Sequence, residues 1–589
     1  MNSENRVCKN CKTQFTIEPE DFDFYTKIKV PPPTFCPRCR MVRRMTWRNE
    51  RSLYQAVCGL CGKSIISMYA PESKVISYCR ECWWSDRWNP LDFGQKYDFE
   101  KPFFEQFGDL FRKVPLQALS NINSVNSDYA NFVSDNKNCY LVFGTGFCEN
   151  VAYARAWKSR DSEDCYILHE SELCYECVNC SGSYHLLFCT NCETCRDSYF
   201  LLNCRNCSDC FGCANLVGKS HCLFNEQYSK EEYEKKLKEF DLENRSSLSR
   251  IAARVQDEIF DKAIRRYGNI IASVNCTGDN IYNSKNARFC FDLMGNVEDA
   301  KFIGWSADLK ESYDSMGQWK NNFGYENIDS NVGQNNLGTI TVYASSDCRY
   351  SHSCHGCEHC FGCIGLRQKS YCILNTQYSK EEYETLAPKI EEYVRIHPYV
   401  GSAGRQYGYG EFLPTEISPF AYNETIAQEY FPLTSDEAKK AGYLWKNLAE
   451  KNYSATLLPE KLPENIRGVD DGILKEIIMC EHDGKCSEQC ATAFRIIPQE
   501  LQFYRRMNLP LPRLCPNCRH YQRLRRRNPL NLWHGKCGCA GLGSENAVYK
   551  NTAGHFHGSG HCPNEFETPY TPDLPRTVYC EQCYQAEVA

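Results

Sequence analysis

Cys174-Tyr-Glu-Cys177-Val-Asn-Cys180-Ser-Gly-Ser-Tyr184-His-Leu-Leu-Phe-Cys189-Thr-Asn-Cys192-Glu-Thr-Cys195-Arg-Asp-Ser-Tyr199-Phe-Leu-Leu-Asn-Cys204-Arg-Asn-Cys207-Ser-Asp-Cys210-Phe-Gly-Cys213 repeats with a 15-residue period. Cys174, Cys189 and Cys204 form one column, Cys177, Cys192 and Cys207 a second, and Cys180, Cys195 and Cys210 a third. Helical-hairpin repeats need about 33–34 residues, so this period is too short for them. It suits one coil of a β-solenoid, whose coils stack like strands about 4.8 Å apart. Weaker units run upstream through Cys139 and Cys165.

The pattern is duplicated 150 residues on: Cys204, Cys207, Cys210, Cys213 and Cys222 map to Cys354, Cys357, Cys360, Cys363 and Cys372. Both copies end in Gln-Tyr-Ser-Lys-Glu-Glu-Tyr. Ser229 with Glu232, and Ser379 with Glu382, are capping boxes that predict helices closing the solenoid ends. Three readings of the stacked thiols stand: buried reduced thiols, metal between columns, and within-coil disulfides such as Cys174 to Cys180. Earlier coils of the second copy, around Glu298 and Glu311, keep the rhythm without the cysteine, so a coil does not need a metal to form.

The ends follow another plan. Cys8, Cys11, Cys36 and Cys39, then Cys58, Cys61, Cys79 and Cys82, are paired C-x-x-C knuckles separated by 24 and 17 residues. Two knuckles converging on one ion make a tetrahedral four-thiolate zinc site. Sequential and cross-braced pairings use the same residues. The C-terminal block repeats the plan, with Cys486, Cys490, Cys515 and Cys518, then Cys537, Cys562, Cys580 and Cys583. An insertion adds Cys539, His555, His557 and His561, and Cys480 and His482 compete at the third site. The count is about four structural zinc ions.

Cys8-x-x-Cys11-x-x-x-Phe15, Phe24-Tyr25 and Cys36-Pro-x-Cys39-Arg40 resemble the zinc-ribbon domain of small bacterial proteins. The whole chain, through Phe103 to Phe107, Val114-Pro115, Asn126 to Tyr129 and Tyr579 to Val588, is similar to large cysteine-rich proteins of candidate-phyla bacteria. The likeness implies zinc at both ends and brings no activity with it.

The chain has 589 residues, 40 of them cysteine, a hydrophobic fraction of 42% and a net charge of −6. Such a composition excludes bulk disorder and a uniformly basic nucleic-acid binder. No apolar run is long enough to span a bilayer, and the first residues lack a secretory h-region, so a cytoplasmic, reducing setting is expected. Gly218-Lys219-Ser220 is not a P-loop, because Gly212 is misplaced and the duplicate lacks the glycine. No catalytic motif and no small-molecule site is found, so the expectation is a non-enzyme.

Arginines gather beside the knuckles: Arg40, Arg43, Arg44 and Arg48, and Arg519, Arg523, Arg525, Arg526 and Arg527. Planar guanidinium forks suit phosphate and base contacts, or they serve acidic faces of this same chain. The expectation is therefore a mainly β protein with short helices. Zinc ribbons at 1–90 and 479–589 flank solenoids at 125–228 and 271–378. A linker at 91–124, connecting helices at 229–270, and a capping helix with linker at 379–478 join them. RNA or a ribonucleoprotein is the leading partner. Metal buffering by stacked thiols, a protein–protein scaffold and, least, an enzyme are the alternatives.

Overall fold

Every third residue of the solenoids is left-handed, and this sets the coil. In the first solenoid φ is 54° at Asn179, 53° at Asn191, 54° at Asn203 and 59° at Asn215, with similar values at the intervening third positions. Asparagine and aspartate tolerate this region because their side chains bond locally. Here they bond up the stack: Asn179 Nδ2 donates to Asn191 Oδ1 at 3.0 Å, and Asn191 Nδ2 to Asn203 Oδ1 at 3.0 Å. Bulky residues at the same corners stack instead, as Phe188 does on Phe200 with ring centroids 4.8 Å apart.

Each left-handed corner ends a three-residue side, and four sides close a coil. In parallel register Tyr184 lies opposite Arg196, Arg196 opposite Ser208 and Ser208 opposite Ser220. The regular coil is thus 12 residues, with local coils of 11 at Glu149 to Arg160 and 13 at Lys285 to Glu298, and not the 15 of the sequence repeat. The cysteine pattern counts five triplets where the chain turns through four. Residues of one sequence column do not stack. Leu168 pairs with Cys180, Leu201 with Cys213, Cys210 with Cys222 and Cys360 with Cys372.

Many inward positions take a small side chain that reaches the carbonyl two residues back, and others take Leu or Val, such as Leu168, Leu186 and Val151. Cys174 Sγ donates to Glu172 O at 3.5 Å and Cys195 Sγ to Glu193 O at 3.4 Å. Serine does the same: Ser183 Oγ donates to Ser181 O at 2.8 Å, and Ser315 Oγ to Tyr313 O at 3.0 Å. Cysteine and serine are therefore interchangeable parts of one interior. All 40 cysteines are free thiols, so the disulfide reading is not what the chain adopts.

The computed structural model describes residues 2–447, 454–545 and 550–588. It divides into two units: Met1–Ser120 with Asn269–Asn447, and Asn121–Gly268 with Leu448–Ala589. Each unit joins one terminal ribbon module to one solenoid, and the order is crossed: the N-terminal module goes with the second solenoid. Both solenoids end as expected, in helices Lys230–Leu237 and Lys380–Ile396 with their capping boxes formed. Residues 91–124, expected to link, instead carry helix Phe103–Lys113, which buries Phe103, Phe104, Phe107 and Leu110. The Gly- and Tyr-rich stretch after the second solenoid is likewise packed, with Tyr407, Phe412 and Leu413 buried. Among the described residues no helix is long and apolar enough to cross a membrane.

Candidate metal centres

Each ribbon is a hairpin followed by a helix. Strands Glu4–Val7 and Gln14–Ile17 carry the first cysteine pair at their turn. Cys36 is the N-cap of helix Pro37–Met45 and Cys515 that of Pro516–Arg525. Proline fits the first helical position, whose N–H is unneeded, and the helix N-terminus favours a thiolate.

Four tetrads result: Cys8, Cys11, Cys36, Cys39; Cys58, Cys61, Cys79, Cys82; Cys480, Cys490, Cys515, Cys518; and Cys537, Cys562, Cys580, Cys583, with all sulfurs of a tetrad within 4.8 Å of one another. Zn–S bonds of about 2.3 Å in a tetrahedron put sulfurs about 3.8 Å apart. Cys11 to Cys36 is 3.6 Å, Cys61 to Cys79 3.9 Å, Cys490 to Cys515 3.9 Å and Cys562 to Cys580 3.8 Å. The pairing is sequential, not cross-braced.

The third centre corrects the sequence alignment. Cys480, not Cys486, is the counterpart of Cys8. In every ribbon the third ligand's N–H donates to the first ligand's sulfur at 3.2 Å: Cys36 to Cys8, Cys79 to Cys58, Cys515 to Cys480 and Cys580 to Cys537. The hairpin Ile478–Met479 with Ala493–Phe494 places Cys480 at the strand end, and an enlarged turn separates it from Cys490 by nine residues. Cys486 sits on that turn, its sulfur 3.7 Å from Cys518, as a fifth thiol at the rim. His482 Nδ1 faces Glu488 at 3.1 Å. His561 is exposed.

Hydrogen bonding differs between the two kinds of thiol. The first sulfur of each ribbon accepts the N–H of the third ligand, a contact that favours the thiolate a metal needs. Burial raises the Cys58 thiol, but the N–H groups of Cys79, Cys61 and Leu60 outweigh it and draw it down to about 6. Many solenoid sulfurs donate to carbonyls, and burial pushes Cys148 and Cys290 up to about 12, while the neighbouring Cys354 and Cys360 thiols draw Cys357 down to about 3. Cys148 also accepts an N–H from Ser159, yet it donates to Gly146 O as well.

The arginines are spent within each unit. Arg40 pairs with Asp314 at 2.9 Å, and Arg43 with Glu326 and Glu411 at 2.6 Å each. Arg44 reaches Asp314 at 3.1 Å and Glu326 at 2.6 Å, with all three side chains at 0% exposure. Arg48 pairs with Glu50 at 2.7 Å. In the other unit Arg519 bonds Asp164 and lies 3.2 Å from Glu500, while Arg523 is 2.8 Å from both Asp164 and Glu176. Arg526 meets Glu176 at 3.3 Å, Arg525 pairs with Glu488, and Arg527 lies over the Tyr166 ring at 5.2 Å. Sequence reasoning did not single out these acids. The signal was present, since Asp164 and Glu176 map onto Asp314 and Glu326 with the same 150-residue offset as the cysteines.

Fold and sites together define a β-solenoid protein whose duplicated ribbon modules carry thiolate centres able to hold metal ions. No protein-family model matches the chain, and no curated protein matches it. Among solved structures it is similar to one titled "putative acetyltransferase from Desulfovibrio desulfuricans G20", at 10% identity over 49% of this chain and 75% of that one, with a TM-score of 0.10. At that score the likeness carries no argument.

Proposed function

We propose that the chain is a non-enzymatic zinc-binding scaffold in which zinc folds each ribbon into a clasp on a solenoid. The observation that carries this is the repeated buried pairing of Arg44 with Asp314 and Glu326, and of Arg523 with Asp164 and Glu176. Zinc suits the closed four-cysteine donor sets, which leave no open position for substrate. The free interior thiols suit a reducing compartment. The rigid, covered coils then serve as a spacer or protein-contact surface.

RNA or ribonucleoprotein contact, which arginine density suggests, falls to rim side chains such as Arg505, Arg506 and Arg525. These already face Asp471, Asp161 and Glu488. Metal buffering is favoured by one observation. Against the penalty of burial, Cys177 is pulled down by the thiols of Cys165, Cys174, Cys180 and Cys189 around it.

The test is metal counting by native mass spectrometry, with RNA titration at low salt. Zinc that the ribbon cysteines alone account for, with no RNA bound, supports the scaffold. Ten or more ions supports buffering, and salt-sensitive RNA binding restores the nucleic-acid reading.

A further inference from the structure

The fourth ribbon differs from the other three. Its insertion brings Cys539, His555 and His557 to Cys583, so that all four ligand atoms lie within 4.8 Å of one another. Cys583 already belongs to the tetrad with Cys537, Cys562 and Cys580. We propose that this ribbon holds a second divalent metal ion, bound by Cys539, His555 and His557 and sharing Cys583 as a bridging thiolate. The proposal rests on the zinc-scaffold reading for the first ion and adds a two-metal centre to it.

Geometry supports the second site. A tetrahedral zinc with Zn–S of about 2.3 Å and Zn–N of about 2.0 Å sets sulfur and nitrogen about 3.5 Å apart. Cys583 Sγ lies 3.4 Å from His557 Nε2, and Cys539 Sγ lies 3.6 Å from His555 Nδ1.

Both imidazoles are held with the far nitrogen as donor. His557 Nδ1–H donates to Gly560 O at 2.8 Å, which leaves Nε2 bare toward Cys583. His555 Nε2–H donates to the buried Glu587 carboxylate at 2.8 Å, which leaves Nδ1 bare toward Cys539. A carboxylate behind a histidine is the usual outer partner of a metal-bound imidazole. Glu587 is itself fixed by the N–H groups of Thr552 at 2.9 Å and Ala553 at 3.1 Å.

The Cys539 sulfur is positioned by two donors. It accepts Gly541 N at 3.4 Å and Asn551 Nδ2 at 3.3 Å. The second ribbon is the internal control: Leu60 stands where Cys539 stands, the insertion is missing, and one tetrad is formed.

The experiment counts zinc on the full-length chain by native mass spectrometry after zinc loading and gel filtration. Cys539→Ser and His557→Ala should each carry one ion fewer than the parent, and the double variant no fewer than either single one. Cys61→Ser, at the control ribbon, should also lose one ion. Cobalt substitution reads the bridge: two cobalt ions sharing Cys583 are magnetically coupled, and Cys539→Ser restores an uncoupled signal. Unchanged zinc content in Cys539→Ser and His557→Ala, with loss in Cys61→Ser, overturns the second ion and leaves the scaffold reading intact. No zinc on any form overturns both.

Discussion

Arg523 Nη1 lies 2.8 Å from Asp164 Oδ1 with both side chains fully buried, and Arg44 and Asp314 repeat the pair in the other unit. The aromatic contacts repeat too. Tyr504 meets Tyr175 at 5.7 Å between ring centroids, and Tyr25 meets Tyr325 at 5.5 Å. Two duplications with different offsets, 479 residues for the ribbons and 150 for the solenoids, therefore preserve one interface.

Removing one partner of such a pair strands a buried charge. Arg44→Met should cost its unit little, because Asp314 keeps Arg40 and Glu326 keeps Arg43, whereas Asp314→Leu takes from the buried Arg40 its carboxylate and should destabilise by about 3–5 kcal/mol. Denaturant unfolding of Arg44→Met beside Asp314→Leu measures this. Equal losses in both would show that packing, not charge, holds the clasp.

Metal removal should act on the ribbons and spare the coils. Cys36→Ser should release one zinc and loosen the first ribbon, since structural zinc contributes on the order of 10–16 kcal/mol in small domains. Circular dichroism during chelator titration should show the β signal of the solenoids persisting while ribbon tryptophan fluorescence, from Trp47 and Trp83, changes.

Solenoid cysteines should tolerate serine. Ser183 occupies the position one coil before Cys195 and makes the same bond to the carbonyl two residues back. Cys195→Ser should cost about 1 kcal/mol or less. Thermal melts of Cys195→Ser against Cys36→Ser provide the comparison, and a large loss for Cys195→Ser with release of metal would place an ion in the coils.

Acid should weaken the unit that holds the second solenoid through its buried histidines. Burial draws His352 down to about 3, so the folded chain keeps it neutral while the unfolded chain protonates it below about 6.5. Its contribution is complete above pH 6.5 and is lost as the pH falls toward 3, at about 1.4 kcal/mol per pH unit. His352→Gln should have the shallower stability profile over that window. Parallel profiles would show that His352 does not carry the slope.

Solenoid, ribbons, duplications and capping boxes were legible because each rests on local spacing. Coil length was not. Cysteine marks only inward positions, and the left-handed corners that decide four sides instead of five are spread over Asn, Asp, Phe and His. Cys480 competed with Cys486 in the sequence because Cys486 falls within one residue of the position expected from Cys8, whereas the geometry common to the four ribbons is the N–H to sulfur bond across the hairpin. The arginines read equally well as phosphate ligands or as ion-pair partners, since the side chain is the same and only the fold supplies the acids.

The crossed order sets a timetable for synthesis. Arg44 and Glu326 are 282 residues apart. At about 5–20 residues per second, the first ribbon leaves the ribosome roughly 15–60 s before its acidic partner exists. During that wait its arginine helix has none of the solenoid acids it pairs with in the finished unit. The first solenoid meets the mirror problem, holding Asp164 and Glu176 without cations until the last hundred or so residues arrive.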